Sequence, residues 1–440
     1  MKLLACLAAA AAAAAVPLAS ARRLAPREAR VLYDGFKVFE IDAPEGVDAI
    51  IEKIANIDFI DVDEGSPDSY SVAVAPESVK DFEALGLKHV VVHEDLGADI
   101  LLEGDLQPYA SRKLSRASSE ALSAHLPGVE WFNAYHAYAD HVDYIEDLHY
   151  AFSNNSELVI AGKSYEGRDI HGIHLWGKGG KSSKPAIYWH STTHAREWIT
   201  TMTVEYFLYQ LISGYLASDA EVTALLNAYD FYVLPVVNPD GFIHSQTTDR
   251  LWRKNRQPRC NQACIGTDLN RNWPHYWNVT GGASDDPCAQ SYRGLSPGDT
   301  PEMASFTAYT DKVASAHPDG IKFFVDWHAF GHIILMPYGG NCSLRVANYD
   351  RQMELARQTT AIIESVAGSK YRYGPVCDVL YAASGGSMDY VYDIAGADIA
   401  WGWELSPASE AAGGFVLPAE KILATAQENW KGVKWLLTQL

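Results

Sequence analysis

The chain has 440 residues, 48% of them apolar and 20% charged, with a formal net charge of −20. That length and balance describe a soluble globular protein with room for two domains and a large core. The acidity argues against a nucleic-acid partner, which calls for a basic face.

In chain order, the N-terminus comes first as an export signal. Lys2 supplies the charged start, Leu3 to Val16 the apolar run, and Ala19-Ser20-Ala21 the cleavage pattern. Residues 1–21 are therefore expected to be removed. No later run approaches the ~20 apolar residues that span a bilayer, so no membrane partner is expected. The expected location is extracellular, with delivery to an acidic internal compartment as the alternative. Cys6 leaves with the signal. Cys260, Cys264, Cys288, Cys342 and Cys377 remain, and in an exported chain disulfides are the expected fate of cysteine, with one thiol left over. Asn154 and Asn278 lie in glycan acceptor triplets; Asn341 fits as well, with Cys342 in the middle.

Residues 40–105 hold 18 acidic residues against three lysines. Over 37–93 the pattern alternates as strand (37–41), helix (46–56), two strands (59–64 and 70–75), helix (76–85) and strand (89–92). This βαββαβ order predicts a split βαβ unit, a small antiparallel sheet with two helices on one face. No catalytic cluster falls within it. Residues 107–125 break the pattern with Pro108, Ser111-Arg112-Lys113, Ser115-Arg116 and Ser118-Ser119. Such a polar, basic stretch predicts an exposed joint that a protease reading basic residues could cut. The expected division is a segment over 22–116 and a main domain over 117–440.

Beyond about residue 126, strands and helices alternate. Expected strands are 158–161, 170–176, 186–190, 231–237, 321–327 and 399–405; expected helices are 138–153, 199–215, 300–316, 347–367 and 419–437. Several strands are short apolar runs, which predicts an α/β domain with a mixed, mostly parallel sheet covered by helices on both faces. Its site is expected in loops at strand ends.

Those loops carry a metal-ligand pattern. The run Ile187-Tyr188-Trp189 leads into His194-Ala195-Arg196-Glu197-Trp198. His194 and Glu197, three apart, can converge on one point at the first turn of the following helix. His328 closes a second strand-like run about 130 residues on. Two imidazoles, one carboxylate and an open position describe a catalytic Zn2+, one per chain. Glu404 lies in an otherwise apolar strand, Ile399 to Leu405, where a lone carboxylate is costly unless it has a task. It is either a general base or a solvent-facing strand end. Asp268 is suited to anchor the second nitrogen of a zinc-bound His. Asn270 and Arg271 follow it, and a guanidinium beside an amide suits capture of a carboxylate. Arg253 is a further basic group; taken singly, each Arg also reads as a surface charge.

His194-Ala195-Arg196-Glu197-Trp198-Ile199-Thr200, Asn238-Pro239-Asp240-Gly241, Leu251-Trp252-Arg253-Lys254, Asp268-Leu269-Asn270-Arg271-Asn272-Trp273 and Tyr381-Ala382-Ala383-Ser384-Gly385-Gly386-Ser387 occur in this order. Together they resemble the zinc metallocarboxypeptidases of the A/B type over about residues 120–440, and the N-terminal part resembles that family's inhibitory activation segment. The resemblance implies His194, Glu197 and His328 as zinc ligands, Glu404 as general base, and Arg253 as the group that polarises the scissile carbonyl. It implies Asn270, Arg271 and Tyr381 as the clamp on a terminal carboxylate, and Arg196 as a contact on the way in. Met388 falls where the family's subtypes differ, with Gly402, Val376, Leu380 and Ala383 at other lining positions; these small or apolar residues imply an A-type preference for aromatic or aliphatic C-terminal residues. Asp389 does not imply a basic-residue pocket. Cys264–Cys288 and Cys342–Cys377 are the implied disulfides, leaving Cys260 alone or able to exchange with Cys264. Phe330 departs from the Tyr of many members. The expected partners are peptide and protein C-termini, the chain's own prosegment as inhibitor and an activating protease, with the enzyme a monomer. A catalytically silent peptide-binding relative, or a zinc hydrolase of non-peptide amides, is the competing reading. His190 and His332 match no ligand position.

Overall fold

This computed structural model describes residues 29–44, 46–66, 69–111, 126–259, 264–279 and 281–440. The expected export signal, the expected cut region at 112–116 within the joint over 107–125, and Cys260 lie outside those residues.

The first unit follows the alternation of its strands. Strand β1 (Lys37–Asp42), helix α1 (Val47–Ile54), β2 (Phe59–Ser66), β3 (Ser69–Val74), α2 (Val79–Ala84) and β4 (His89–His93) succeed one another. They form a four-stranded sheet of order β2-β3-β1-β4, antiparallel in each pairing. Side chains alternate between its faces. Phe39, Ile41, Tyr70, Val72 and Val74 pack on one side with Ile50, Ile54 and Phe82 of the two helices. Val38, Val62 and Ala73 point the other way and pack, with Tyr33 and Leu96, on Leu251, Phe415 and Val416 of the main body. Both faces of the small sheet are thus covered. Helix α3 (Leu96–Leu101) is capped by Asp95, whose side chain accepts the Ala98 N–H.

A strap over residues 103–111 then runs onto the body. Glu103, 2% exposed, accepts two N–H groups of Arg250 at 2.7 and 2.6 Å. Gln107 is held at both backbone groups: its N–H by Tyr135 O at 2.9 Å, its carbonyl by His136 Nδ1 at 2.6 Å. Tyr109 donates to Asp147 and sets its ring edge-on to Trp131.

The body contains α4 (Tyr138–Ala151), β5 (Ser156–Lys163), β6 (Asp169–Leu175), β7 (Ala186–Ser191), α5 (Trp198–Leu216), α6 (Ala220–Ala228), β8 (Asp230–Leu234) and α7 (Pro239–Thr247). After these come α8 (Pro301–Ala316), β9 (Ile321–Ala329), β10 (Ile333–Met336), α9 (Tyr349–Ala367), β11 (Arg372–Pro375), α10 (Val376–Val379), α11 (Ser387–Asp393), β12 (Ile399–Leu405) and α12 (Ile422–Leu437). The eight strands order as β11-β10-β12-β9-β7-β8-β6-β5. The central β12-β9-β7-β8 are mutually parallel, and antiparallel pairings flank them. Ile187 and Trp189 face one hydrophobic layer, with α5 and α12; Tyr188 faces the other, with α8 and α11. This is the expected α/β architecture with helices on both faces.

Local differences from the sequence reading have physical causes. Helix α5 starts at Trp198 with Glu197 as its cap, so the His194–Glu197 pair sits in the turn before the helix, not in its first turn. Strand β8 ends at Leu234, ahead of Pro235. The last helix begins at Ile422, after a 3-10 turn at Ala419–Lys421. Disulfides join Cys264 to Cys288 and Cys342 to Cys377. The former closes a 24-residue separation, worth about 3 kcal/mol on the chain-entropy view. Among the described residues no cysteine is free.

Candidate active site

The site lies at the C-terminal ends of the central parallel strands. After β7 the chain turns at Thr192, a β-branched residue with φ 57°, a conformation that stores strain. The surroundings hold it there: the Thr192 hydroxyl donates to Pro235 O at 2.9 Å, and its N–H donates to the Thr200 hydroxyl at 3.2 Å. The turn delivers His194 and Glu197.

His194 Nδ1 stands 2.7 Å from Glu197 Oε1, and His328 Nδ1 stands 3.1 Å from Glu197 Oε2. The two Nδ1 atoms are 3.2 Å apart. All three residues are buried, and one donor atom from each lies within 4.8 Å of the others. Burial pushes the Glu197 carboxyl up, but His194 and His328 outweigh it and hold it at about 2. The far nitrogens meet carboxylates: His194 Nε2 to Asp268 Oδ1 at 3.2 Å, His328 Nε2 to Asp326 Oδ2 at 2.9 Å. With a metal at the point where the two Nδ1 atoms and Glu197 meet, each ring would carry its proton on Nε2 and turn the Nδ1 lone pair inward. Two inward imidazoles and an ionised carboxylate are the donor set of a catalytic zinc, so the residues fit that ion.

A second cluster, His174, Asp230 and His317, is also buried. It lies at the opposite strand ends, where Asp230 pairs with Ala186. Its imidazole nitrogens are engaged by Glu157, Asp230, the Lys184 carbonyl and the Tyr232 hydroxyl. That is a closed hydrogen-bond network with no open position.

Asp268 joins the metal-ligand set to the cationic wall. It caps the 3-10 turn Leu269–Arg271 by accepting the Asn270 N–H at 2.8 Å. Its Oδ2 receives Arg253 Nε and Nη2 at 3.2 and 2.9 Å. Burial opposes its charge, but Arg253 and His194 keep its pKa well below the usual range. Arg271 is braced by Nε to Gly282 O at 2.5 Å and by Nη1 to Asn270 O at 3.0 Å. Gly282, at φ 74°, is needed there: a Cβ would stand 1.7 Å from Ala382 O. The loop that braces Arg271 thus packs on the loop that carries Tyr381.

One cavity of about 320 Å³ unites these groups. His194, Glu197, His328, Arg253, Asn270, Arg271, Tyr381 and Glu404 line it, over apolar residues that include Leu335, Val376, Met388 and Gly402. In the β9–β12 pairing Glu404 is the register partner of His328, and Gly402 that of Asp326, so these side-chain positions share a face. Met388 lies over Gly402, where a Cβ would stand 3.0 Å from its sulfur. Asp389 accepts N–H groups of Gly339 and Gly340 at 3.1 and 2.7 Å; burial raises its pKa to about 6. Arg196 lies beside the main cavity, in a small cleft shared with Asp61, Arg253, Arg271 and Tyr381, its guanidinium 3.8 Å above the Phe415 ring. Phe330 packs on the same ring. His190 faces Asp326 and His332 faces Ser406. Glu40, Ser69 and Ser71 of the N-terminal sheet also line the cavity.

Sequence reasoning missed Asp326 and Thr192. Asp326 had a signal of the kind used for Glu404: a lone carboxylate in the apolar run Phe323-Phe324-Val325-Asp326-Trp327. Thr192 had none, because its strain lies in the backbone.

An α/β sheet with such a ligand set and cationic wall defines a metallohydrolase architecture, and comparison with known proteins specifies it. The sequence model of the family described as zinc carboxypeptidase, Peptidase_M14, matches residues 141–432. The metallocarboxypeptidase A-like protein of Trichophyton verrucosum (strain HKI 0517) is 40% identical over 414 residues, covering 93% of this chain and 94% of that one. Carboxypeptidase A2 of Rattus norvegicus is 36% identical over 306 residues, 70% of each chain. The crystal structure of the carboxypeptidase A from Helicoverpa armigera superposes with a TM-score of 0.75 at 28% identity, covering 92% of this chain and 97% of that one. The chain belongs to the zinc carboxypeptidase family. It is a metallocarboxypeptidase of A-like kinship.

Proposed function

We propose that this chain is a secreted precursor of a zinc-dependent carboxypeptidase that removes apolar or aromatic residues from peptide and protein C-termini. The observation that carries the reading is the meeting, in one apolar-floored cavity, of a His194–Glu197–His328 donor set with Arg253, Asn270, Arg271 and Tyr381.

His194, Glu197 and His328 would hold the zinc, which when bound supplies Lewis acidity and lowers the pKa of water. Glu404, beside His328 across the strand pair, takes the proton from the attacking water and returns it to the leaving amine. Arg253, fixed by Asp268, offers its guanidinium to the scissile carbonyl as negative charge develops there, an effect of about 100- to 1,000-fold in rate. Arg271, Asn270 and Tyr381 take the terminal carboxylate. A mid-chain peptide would leave that cationic socket unpaired, which favours exopeptidase action. Met388 and Gly402 give the side-chain pocket an uncharged floor. An acidic floor would select Lys or Arg.

The precursor reading draws support from Glu40, Ser69 and Ser71, which wall the cavity, and from the apolar contact of the small sheet with Leu251 and Phe415. Residues 1–21 act as the export signal, 22–116 as the inhibitory segment, and the 112–116 region as the cut site. Asn154, Asn278 and Asn341 are the glycan sites of the secreted form. The test is a panel of N-blocked dipeptides with varied last residues, assayed before and after trypsin-like cleavage and with a zinc chelator. Activity should appear after cleavage, favour Phe and Leu over Lys and Arg, and vanish with chelator. Full activity before cleavage would refute the precursor reading, and a preference for basic residues the pocket assignment.

A further inference from the structure

Both imidazoles of the ligand set have a carboxylate behind them, and the one behind His328 stands outside the motifs discussed so far. Asp326 lies two residues before His328 on β9, hence on the same face of the sheet. It is fully buried. Its Oδ2 is 2.9 Å from His328 Nε2 and accepts the Ser387 hydroxyl at 2.6 Å. Its Oδ1 accepts the Thr193 hydroxyl at 3.1 Å and stands 3.2 Å from His190 Nε2.

Asn270 Nδ2 also approaches His328 Nε2, at 3.1 Å. Its amide oxygen is committed to the Ser387 N–H at 2.9 Å, so the nitrogen that faces the ring is a donor and cannot take the ring proton. Asp326 is the acceptor that can.

We propose that Asp326 is a positioning residue: it fixes the His328 proton on Nε2, orients the Nδ1 lone pair at the metal position and thereby strengthens zinc binding. Asp268 does the same for His194, so the centre is buttressed on both imidazoles. Through Ser387, the first residue of α11, Asp326 also ties the ligand strand to the helix that carries Met388. The inference rests on the proposed zinc site at His194, Glu197 and His328.

The experiment titrates zinc into the metal-stripped full chain against a chromophoric chelator and records the visible spectrum of the Co2+ form. Asp326→Asn should weaken zinc binding by about 10- to 100-fold and alter the Co2+ bands. Ser387→Ala removes a purely structural bond to the same carboxylate and should stay within about twofold of the parent. Melting of the metal-free proteins separates folding from binding. Should Asp326→Asn fail to fold, Asp326→Ser, with a shorter acceptor, carries the same expectation. Parent-like affinity and spectrum in a folded Asp326 variant, or an equal loss in Ser387→Ala, would overturn the inference alone. A parent chain that binds no zinc would overturn the underlying site.

Discussion

Glu197 and Glu404 are both carboxylates of one cavity, yet their surroundings give them different work. Glu197 is 2% exposed and is held ionised at about 2 by two imidazoles that outweigh burial. Glu404 is half-buried on β12, in register with His328. Glu404→Gln should lower kcat by about 100- to 10,000-fold while metal content stays at one zinc per chain; steady-state kinetics beside elemental analysis check it. At the pocket floor, Met388→Asp should shift the kcat/KM ratio toward C-terminal Lys and Arg over Phe. Asp389 makes a pH statement. Burial raises its folded pKa to about 6, so the native state binds an extra proton between the ordinary carboxylate value and that pH. Stability from this group is present at the acidic end and is lost as pH rises through about 6. Asp389→Asn should gain on the parent over that range, by about 1–3 kcal/mol at neutral pH in denaturant titrations. At this scale the convergence of His194, Glu197 and His328 was legible because residue type and spacing carry it. Of the carboxylates behind the far nitrogens, Asp268 was read, while Asp326, two residues before His328 on the same strand, was passed over although its apolar run carried a signal.

Among the elements, the β9–β12 pair matters most. Its parallel register sets Asp326 beside Gly402, Trp327 beside Trp403 and His328 beside Glu404. The tryptophans go to the hydrophobic layer. A slip of one residue would exchange tryptophans for site residues, so burial of the Trp rings fixes the register. Gly402→Ala would set a methyl 3.0 Å from the Met388 sulfur. The flexible Met should yield, with little loss of fold stability, and the pocket should shrink; kcat/KM for C-terminal Phe or Trp should fall more than for Val. The long apolar strands and the long helices were readable because their runs are unambiguous. Strands β10 and β11 were not: each has four residues, and β11 contains Gly374 and Pro375, which disfavour strand. Pairing with β10, not propensity, makes it one. Helices α6, α7, α10 and α11, at most nine residues long, form where tertiary contacts supply what short length cannot.

For the whole molecule, the question is how firmly the small sheet stays on the body. The order βαββαβ was readable from alternation alone, but what covers the face away from the helices was not, because the contacts come from residues more than 200 positions away, such as Tyr33 with Asp249. The contact has a titratable element. His93 of β4 lies between Asp99, at 2.7 Å, and Glu410 of the body, at 3.3 Å. Burial works against its charge, but the two carboxylates prevail and raise its pKa. The sign follows: this contribution is fully present below the ordinary His value and is lost as pH climbs past the raised one. Nearby Glu40 has its pKa raised as well, by burial and by the charges of Glu410 and Asp42. A nicked N-terminal piece should therefore leave faster at about pH 8 than at about pH 6, and His93→Gln should flatten that profile.

If the chain is the precursor proposed above, the strap over residues 103–111 would separate the cut from the start of turnover. Severing the backbone near 112–116 would leave Glu103 gripping Arg250 and Tyr109 resting on Trp131. A gel would show two bands while substrate still waited, and turnover would begin only as the severed piece drifted off. On the precursor reading proposed above, the lag would depend on neither protease dose, once cutting is complete, nor enzyme concentration, and departure rather than the cut would be the clock of activation.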